Sequence, residues 1–197
     1  MVTKPPPQSA LRAKRRAIAQ TTMAALFAAL TAAGAFVSIP LPFSPVPVTL
    51  QNLFALLSGL ILGPLLGGAA VGLFLIAGAL GAPVFAGAAG GFAHFFGPTG
   101  GFLLGYLLAA LTAGFIAGRP RVNRRTSPLR IILAVLAGFL VVYVPGIIRL
   151  KMVLDTDWGN ALILGFVPFL IGDILKGIAA VLIAPRLRRA AAEQMDG

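Results

Sequence analysis

Asp173 and Lys176 stand three residues apart in an otherwise apolar run, Gly172-Asp173-Ile174-Leu175-Lys176. On a helix that spacing puts both side chains on one face. An ionisable residue at the centre of a membrane span costs about 2.5–3.5 kcal/mol even on the lenient insertion scales, so such residues usually serve a site or pair with each other. The chemistry available is hydrogen bonding to a bound group, with the carboxylate accepting and the ammonium donating. The competing reading is a self-neutralising pair that only ties helices together. Lys176, near the expected end of its helix, can also snorkel to the inner interface.

Other candidates lie further up the chain. Gln51 opens an apolar run beside Thr49 and Asn52. These are uncharged hydrogen-bonding groups at a helix end, and Thr49 is the natural N-cap. Tyr106 and Tyr143 lie within apolar spans and need partners there, so either can line a cavity. Arg149 and Lys151 end a span opposite the main basic clusters; they either attract an anion or pair with Asp155 or Asp157. His94 has no Cys, Asp or Glu near it in sequence, so it reads as a packing or interfacial histidine and no metal site is expected. The chain has no cysteine and no phosphate-binding lysine loop, which excludes thiolate chemistry and ATP hydrolysis on this polypeptide. Nor do convergent partners for a Ser–His or zinc enzyme appear.

The stretch between Gly81 and Gly101, GAPVFAGAAGGFAHFFGPTGG, carries seven glycines, two prolines, four phenylalanines and the single histidine, and no charge. It is too rich in Gly and Pro for a regular helix and too apolar for a solvated linker. Irregular backbone beside membrane spans is tolerated where protein covers it or where it lines a wet cavity. The expectation is a loop that closes over a small ligand; the plainer reading is a tight connection between two helices. Phe85, Phe92, Phe95 and Phe96 either wall an apolar pocket or face lipid headgroups.

The elements that position these residues follow from composition. The chain has 197 residues, 58% hydrophobic and 11% charged, against about 25% charged in a soluble domain. It reads as an all-α integral membrane protein of one domain, with six transmembrane helices and outer loops capping a ligand pocket. The expected spans are 17–37, a short 50–62, 65–80 after a break at Gly63-Pro64, 101–117, 130–149 and 160–184. Residues 1–16 read as a basic disordered cytoplasmic tail, 17–184 as the membrane domain and 185–197 as a basic cytoplasmic C-terminal tail. The segment 38–49 holds four prolines and is expected to be a loop.

A net charge of +11 raises the question of nucleic acid, but the basic residues sit in short clusters between apolar runs. Threading six spans puts thirteen of the sixteen basic residues in the N-terminal tail, the 118–130 loop and the C-terminus, all on one side. That is the cytoplasmic side of a plasma (inner) membrane under the positive-inside rule, with both termini inside and no role for nucleic acid. The glycine-rich loop then faces out, with Trp158 in the outer interfacial belt. On the first span, Ala25, Ala29 and Ala33 recur every four residues with Ala24, Ala28 and Ala32 beside them. Such a stripe permits close helix approach, either to a partner or within the chain.

Four motifs in this order, VPVTLQ (46–51), GAPVFAG (81–87), GPTGG (97–101) and PFLIGDILK (168–176), resemble the BioY family, the biotin-binding S components of energy-coupling factor transporters. The resemblance covers about 17–184. It implies a six-helix fold, a biotin pocket on the outer side, and a transmembrane coupling protein with two ATPase subunits as partners, dispensable in some members. It also implies that the small-residue stripe of the first helix, here Ala25, Ala29 and Ala33, docks on the coupling protein. Biotin's chemistry fits the residues: Asp173 can accept a ureido N–H, and Lys176 can meet the ureido oxygen or balance Asp173. Gln51, Tyr143 and loop positions Gly91 and Thr99 can complete the polar set, with Phe85 covering the rings. No cofactor is expected. The alternatives are a binding subunit for another small vitamin, a membrane-embedded enzyme or a scaffold.

Overall fold

The computed structural model describes residues 8–122 and 126–196. Among the described residues, seven helices and one hairpin follow in order: α1 (Gln8–Ala33), β1 (Ser38–Leu41), β2 (Ser44–Thr49), α2 (Gln51–Leu62), α3 (Pro64–Ala79), α4 (Gly100–Ala117), α5 (Pro128–Leu154), α6 (Trp158–Gly165) and α7 (Leu170–Asp196). Short 3-10 turns occur at Ala86–Ala88, Phe92–Phe96 and Val167–Phe169. Three described segments are long and apolar enough to cross a membrane: α4, α5, and the stretch Trp158–Met195 that α6 and α7 share. α2 and α3 are apolar but shorter.

α2 is the hub of the bundle. It touches α1, α3, α4, α5 and α7, and Ala55 through Leu62 are all buried. Gly63 ends it at φ +85, and Pro64 opens α3 at a position where a missing N–H costs nothing. The expected break at this dipeptide is therefore present. Small residues let the helices touch backbone to backbone: a Cβ on Gly59 would lie 1.8 Å from the Ala110 carbonyl oxygen. One on Gly101 would lie 2.1 Å from that of Pro145.

The structure corrects three expectations about the ends and connections. The described part of the N-terminal tail is not disordered: α1 starts at Gln8 and takes in Arg12, Lys14, Arg15 and Arg16. No Gly or Pro interrupts 8–33, and Arg and Lys are good helix formers. The remainder of that tail, 1–7, lies outside the described residues, as do Arg124 and Arg125 of the basic loop. At the other end α7 runs through Pro185 to Asp196, so the C-terminal tail is helical too. It continues because Ala191, Ala192 and Met195 are buried and because Arg188 donates to the carbonyls of Leu60, Ala117 and Gly118. These are acceptors at the C-terminal ends of α2 and α4, which have no helical partner of their own.

The third correction is the proline-rich segment, which forms the β1–β2 hairpin rather than an irregular loop, with Ser38 opposite Thr49 and Ile39 opposite Val48. Pro45 and Pro47 alternate on β2, so both missing donors fall on one edge, and Pro40 sits where the register shifts. Ser44 Oγ donates to the Leu164 carbonyl at 2.8 Å, which pins the hairpin on the end of α6.

Candidate functional site

The hairpin and the N-terminal ends of α2, α4 and α7 converge at one end of the bundle. The last of these is not visible as a helix start in the hydrophobic pattern. Pro168 cannot donate into a helix, so the sixth span stops at Gly165, turns through Val167–Phe169 and restarts at Leu170. Asp173 is thereby in the first turn of α7 rather than deep in one long span. That turn is the positive end of the helix dipole, where a carboxylate is stabilised.

Around Asp173 the polar groups form a closed network. Its Oδ1 accepts from Asn52 Nδ2 at 2.9 Å and from Lys176 Nζ at 2.9 Å. Its Oδ2 accepts from the Tyr143 hydroxyl at 2.5 Å. Lys176 Nζ also donates to Asn52 Oδ1 at 3.0 Å. Asp173 and Lys176 are each only 8% exposed, so the ammonium is not snorkelling to the far interface. A carboxylate offers about four acceptor positions and an ammonium three donors. Three of the former and two of the latter are used inside the network. One acceptor position on Oδ2 and one N–H on Lys176 are left over.

Asp173 and Lys176 both line a cleft. Its first lobe is a narrow cavity of about 30 Å³, well below the roughly 300–1,000 Å³ of ligand sites, so a ligand enters only as the walls part. Val46 and Pro47 of the hairpin, Phe102, Tyr106, Val142 and Phe169 supply its apolar wall, and Thr49, Asn52, Tyr143, Asp173 and Lys176 its polar one. A second lobe of about 20 Å³ shares Val46, Pro47, Thr49, Phe102 and Tyr106 and extends to Gln51, Ala86, His94 and Thr99. The site therefore has a charged end, an aromatic middle and an uncharged hydrogen-bonding end.

A family model described as the BioY family matches residues 7–193. The chain belongs to the BioY family. A probable biotin transporter BioY of Pyrococcus horikoshii is 43% identical over 86% of this chain and 96% of that protein. The biotin transporter BioY of Thermotoga maritima is 38% identical over 89% of this chain and 99% of that protein. Among solved structures, the S-component for biotin from an ECF-type ABC transporter superposes with a TM-score of 0.79 at 33% identity, covering 87% of this chain and 92% of that one. The chain is thus a membrane protein of a transporter family.

In this BioY chain the residues singled out from sequence separate into two groups. Asp173, Lys176, Tyr143 and Tyr106 line the first lobe together. Gln51 and Thr99 line the second. Gln51 is also structural, since its Nε2 donates to the Val84 carbonyl at 3.0 Å and holds the glycine-rich segment. Thr49 is not the N-cap of α2; that position is Leu50, and Thr49 Oγ1 accepts from Gln51 N–H at 3.4 Å.

Phe85 and Gly91 do not reach the cleft wall. Phe85 is fully buried among Phe74, His94 and Phe95, and Gly91 serves the loop's own fold with φ +100 and an N–H to the Gly78 carbonyl. His94 stacks on Phe85, and its Nε2 lies 3.0 Å from Thr99 Oγ1. Burial pushes the pKa of its ring below the ordinary histidine value. Phe92 and Phe96 are exposed. The aromatic walls are instead Phe102 and Phe169.

Arg149 and Lys151 make no ion pair with Asp155 or Asp157 among the described residues. Arg149 lies over the Phe96 ring at 5.8 Å and Lys151 over Trp158 at 5.3 Å. Asp157 instead caps α6, accepting from the Asn160 N–H at 3.0 Å, and this bond holds its carboxyl below the usual range.

Asn52 is the contact that sequence reasoning passed over. It was legible only as a neighbour of Gln51, and nothing in one sequence tells which of two adjacent helical residues turns inward. Phe169 was hidden for a related reason, since a continuous sixth helix would have aimed it differently.

Proposed function

We propose that this chain is the biotin-binding subunit of a vitamin uptake transporter and not an enzyme. The observation that carries the proposal is the leftover acceptor and donor at Asp173 and Lys176. A ureido group presents an N–H beside a carbonyl, and it fits that pair without breaking the network. The bicyclic ring lies against Phe102 and Phe169, and the carboxylate chain runs toward Gln51, His94 and Thr99. The test is binding by the purified, detergent-solubilised protein to biotin and to a panel of other vitamins such as thiamine and riboflavin. Tight binding of biotin alone supports the proposal; preference for another vitamin overturns it.

The partners we propose are a transmembrane coupling protein and two ATPase subunits, since this chain carries no nucleotide loop of its own. Ala25, Ala29 and Ala33 are exposed, and Ala24, Ala28 and Ala32 turn inward. A free row of small side chains suits close approach by a partner helix. Ala29→Leu is expected to weaken co-purification with the coupling module about tenfold or more while biotin affinity stays within about twofold, because a bulky residue blocks a small-residue seam. Lost biotin binding with intact assembly would make the stripe an internal seam.

We place the protein in the plasma (inner) membrane with both termini cytoplasmic, following the basic clusters at the end opposite the cleft. The absence of cysteine gives a clean test. Ala93→Cys, at an exposed loop position, is expected to react with a membrane-impermeant maleimide from outside, and Arg121→Cys only after permeabilisation. The reverse pattern inverts the topology.

A further inference from the structure

The stretch 92–99 contributes His94 and Thr99 to the wall of the second lobe. Gly91 at φ +100 precedes that stretch, and a side chain there would meet nothing within 4 Å. The start of α4 at Gly100 follows it. Gln51 to Val84 and Gly91 to Gly78 hold the preceding limb, and within the stretch His94 and Phe95 pack on buried Phe85 while His94 meets Thr99; the outer end at Phe96 is exposed. From α5, the described residues offer the wall one hydrogen bond. Arg149 donates from Nη2 to the Phe96 carbonyl and sets its guanidinium over the same residue's ring.

That arginine is incompletely satisfied. Its Nε is buried and has no hydrogen-bond partner. A guanidinium has five N–H donors and is well solvated by water when the wall swings away. In the closed position it exchanges that water for one carbonyl and one ring face. A tie of this kind holds a wall in place without locking it. Arg149 also sits one turn beyond Pro145, against which Gly101 at the start of α4 is packed, so its backbone is fixed.

We infer that Arg149 is the latch of the cleft's outer wall and sets how fast the bound ligand leaves. It is a positioning residue that acts through Phe96 and does not touch the ligand. The inference rests on the biotin-binding reading, and its test separates the two. Amide hydrogen exchange and biotin association and dissociation rates are measured on the full chain for the parent, Arg149→Met and Arg149→Lys.

In Arg149→Met, exchange within 92–99 is expected to speed up about tenfold, as for any locally opening segment, while 103–117 is unchanged. Biotin dissociation rises about tenfold and association changes less than about threefold, the usual division for contacts that hold a formed complex. Arg149→Lys, which keeps a charge and a donor, falls between. Unchanged loop exchange in Arg149→Met overturns the latch. So does a dissociation effect that disappears when biotin methyl ester replaces biotin, since Arg149 would then be reading the carboxylate directly. If the parent binds no biotin, the functional reading fails and the exchange data alone decide the latch.

Discussion

Asp173→Asn is expected to bind biotin about tenfold to a hundredfold more weakly while the protein still inserts and folds. A hydrogen bond to a charged group contributes roughly 1.5–3 kcal/mol, and each 1.4 kcal/mol is about a factor of ten. Asn keeps the shape and one acceptor, so Asn52 and Lys176 retain a partner at the position of Oδ1. The change falls on Oδ2, which becomes an NH₂ group if the amide keeps those bonds. The Tyr143 hydroxyl can turn and accept from it, but the vacant acceptor beside it is gone. A ureido N–H would then face a donor. The loss is measured by equilibrium binding in detergent, with thermal unfolding as the control. Unchanged affinity with lost stability would make the network a structural tie and move the ligand elsewhere.

The pair at the centre of that experiment was legible because a charge in an apolar run is costly and therefore conspicuous. So was the Gly63-Pro64 break, because 31 uncharged residues from 50 to 80 are too long for one span. The glycine-rich stretch was legible as irregular backbone, and its aromatic content misled. Phe85 supports the loop from inside, and the cleft takes its rings from Phe102, at the start of α4, and from Phe169, beside a backbone break that periodicity does not reveal. The hairpin was read as a loop for a similar reason. Counting prolines says how many donors are missing, whereas alternation says that Pro45 and Pro47 lose them on the same edge. The helical ends were underestimated because basic residues were read as tails; Arg188 is instead a buried clamp on the ends of α2 and α4.

Lys176→Met is expected to damage the protein more than Asp173→Asn does, and adding Asp173→Asn to it is expected to restore part of the loss. Removing one partner of a buried ion pair costs about 3–5 kcal/mol, chiefly because the other charge remains buried and unbalanced. Here Asp173 would keep Asn52 and Tyr143 as donors, which sets the expectation at the low end of that range. Asn52 Oδ1 also loses the ammonium and retains only the Leu53 N–H at 3.0 Å. For a chain of this size about 3 kcal/mol corresponds to a fall of roughly 6–12 °C in the unfolding midpoint. In the double variant no charge is left in the site. The methionine and asparagine side chains that replace the pair are both tolerable in an apolar setting, so several degrees should return. Biotin affinity should not return with them, because the double variant lacks both the free acceptor and the free donor. Thermal unfolding and biotin binding on the three variants therefore separate two roles of one network. Stability follows charge balance, and affinity follows the two groups left over for the ligand. Additive stability losses in the double variant would mean that Asp173 and Lys176 do not neutralise each other, and the account of the site given by their 2.9 Å contact would fall.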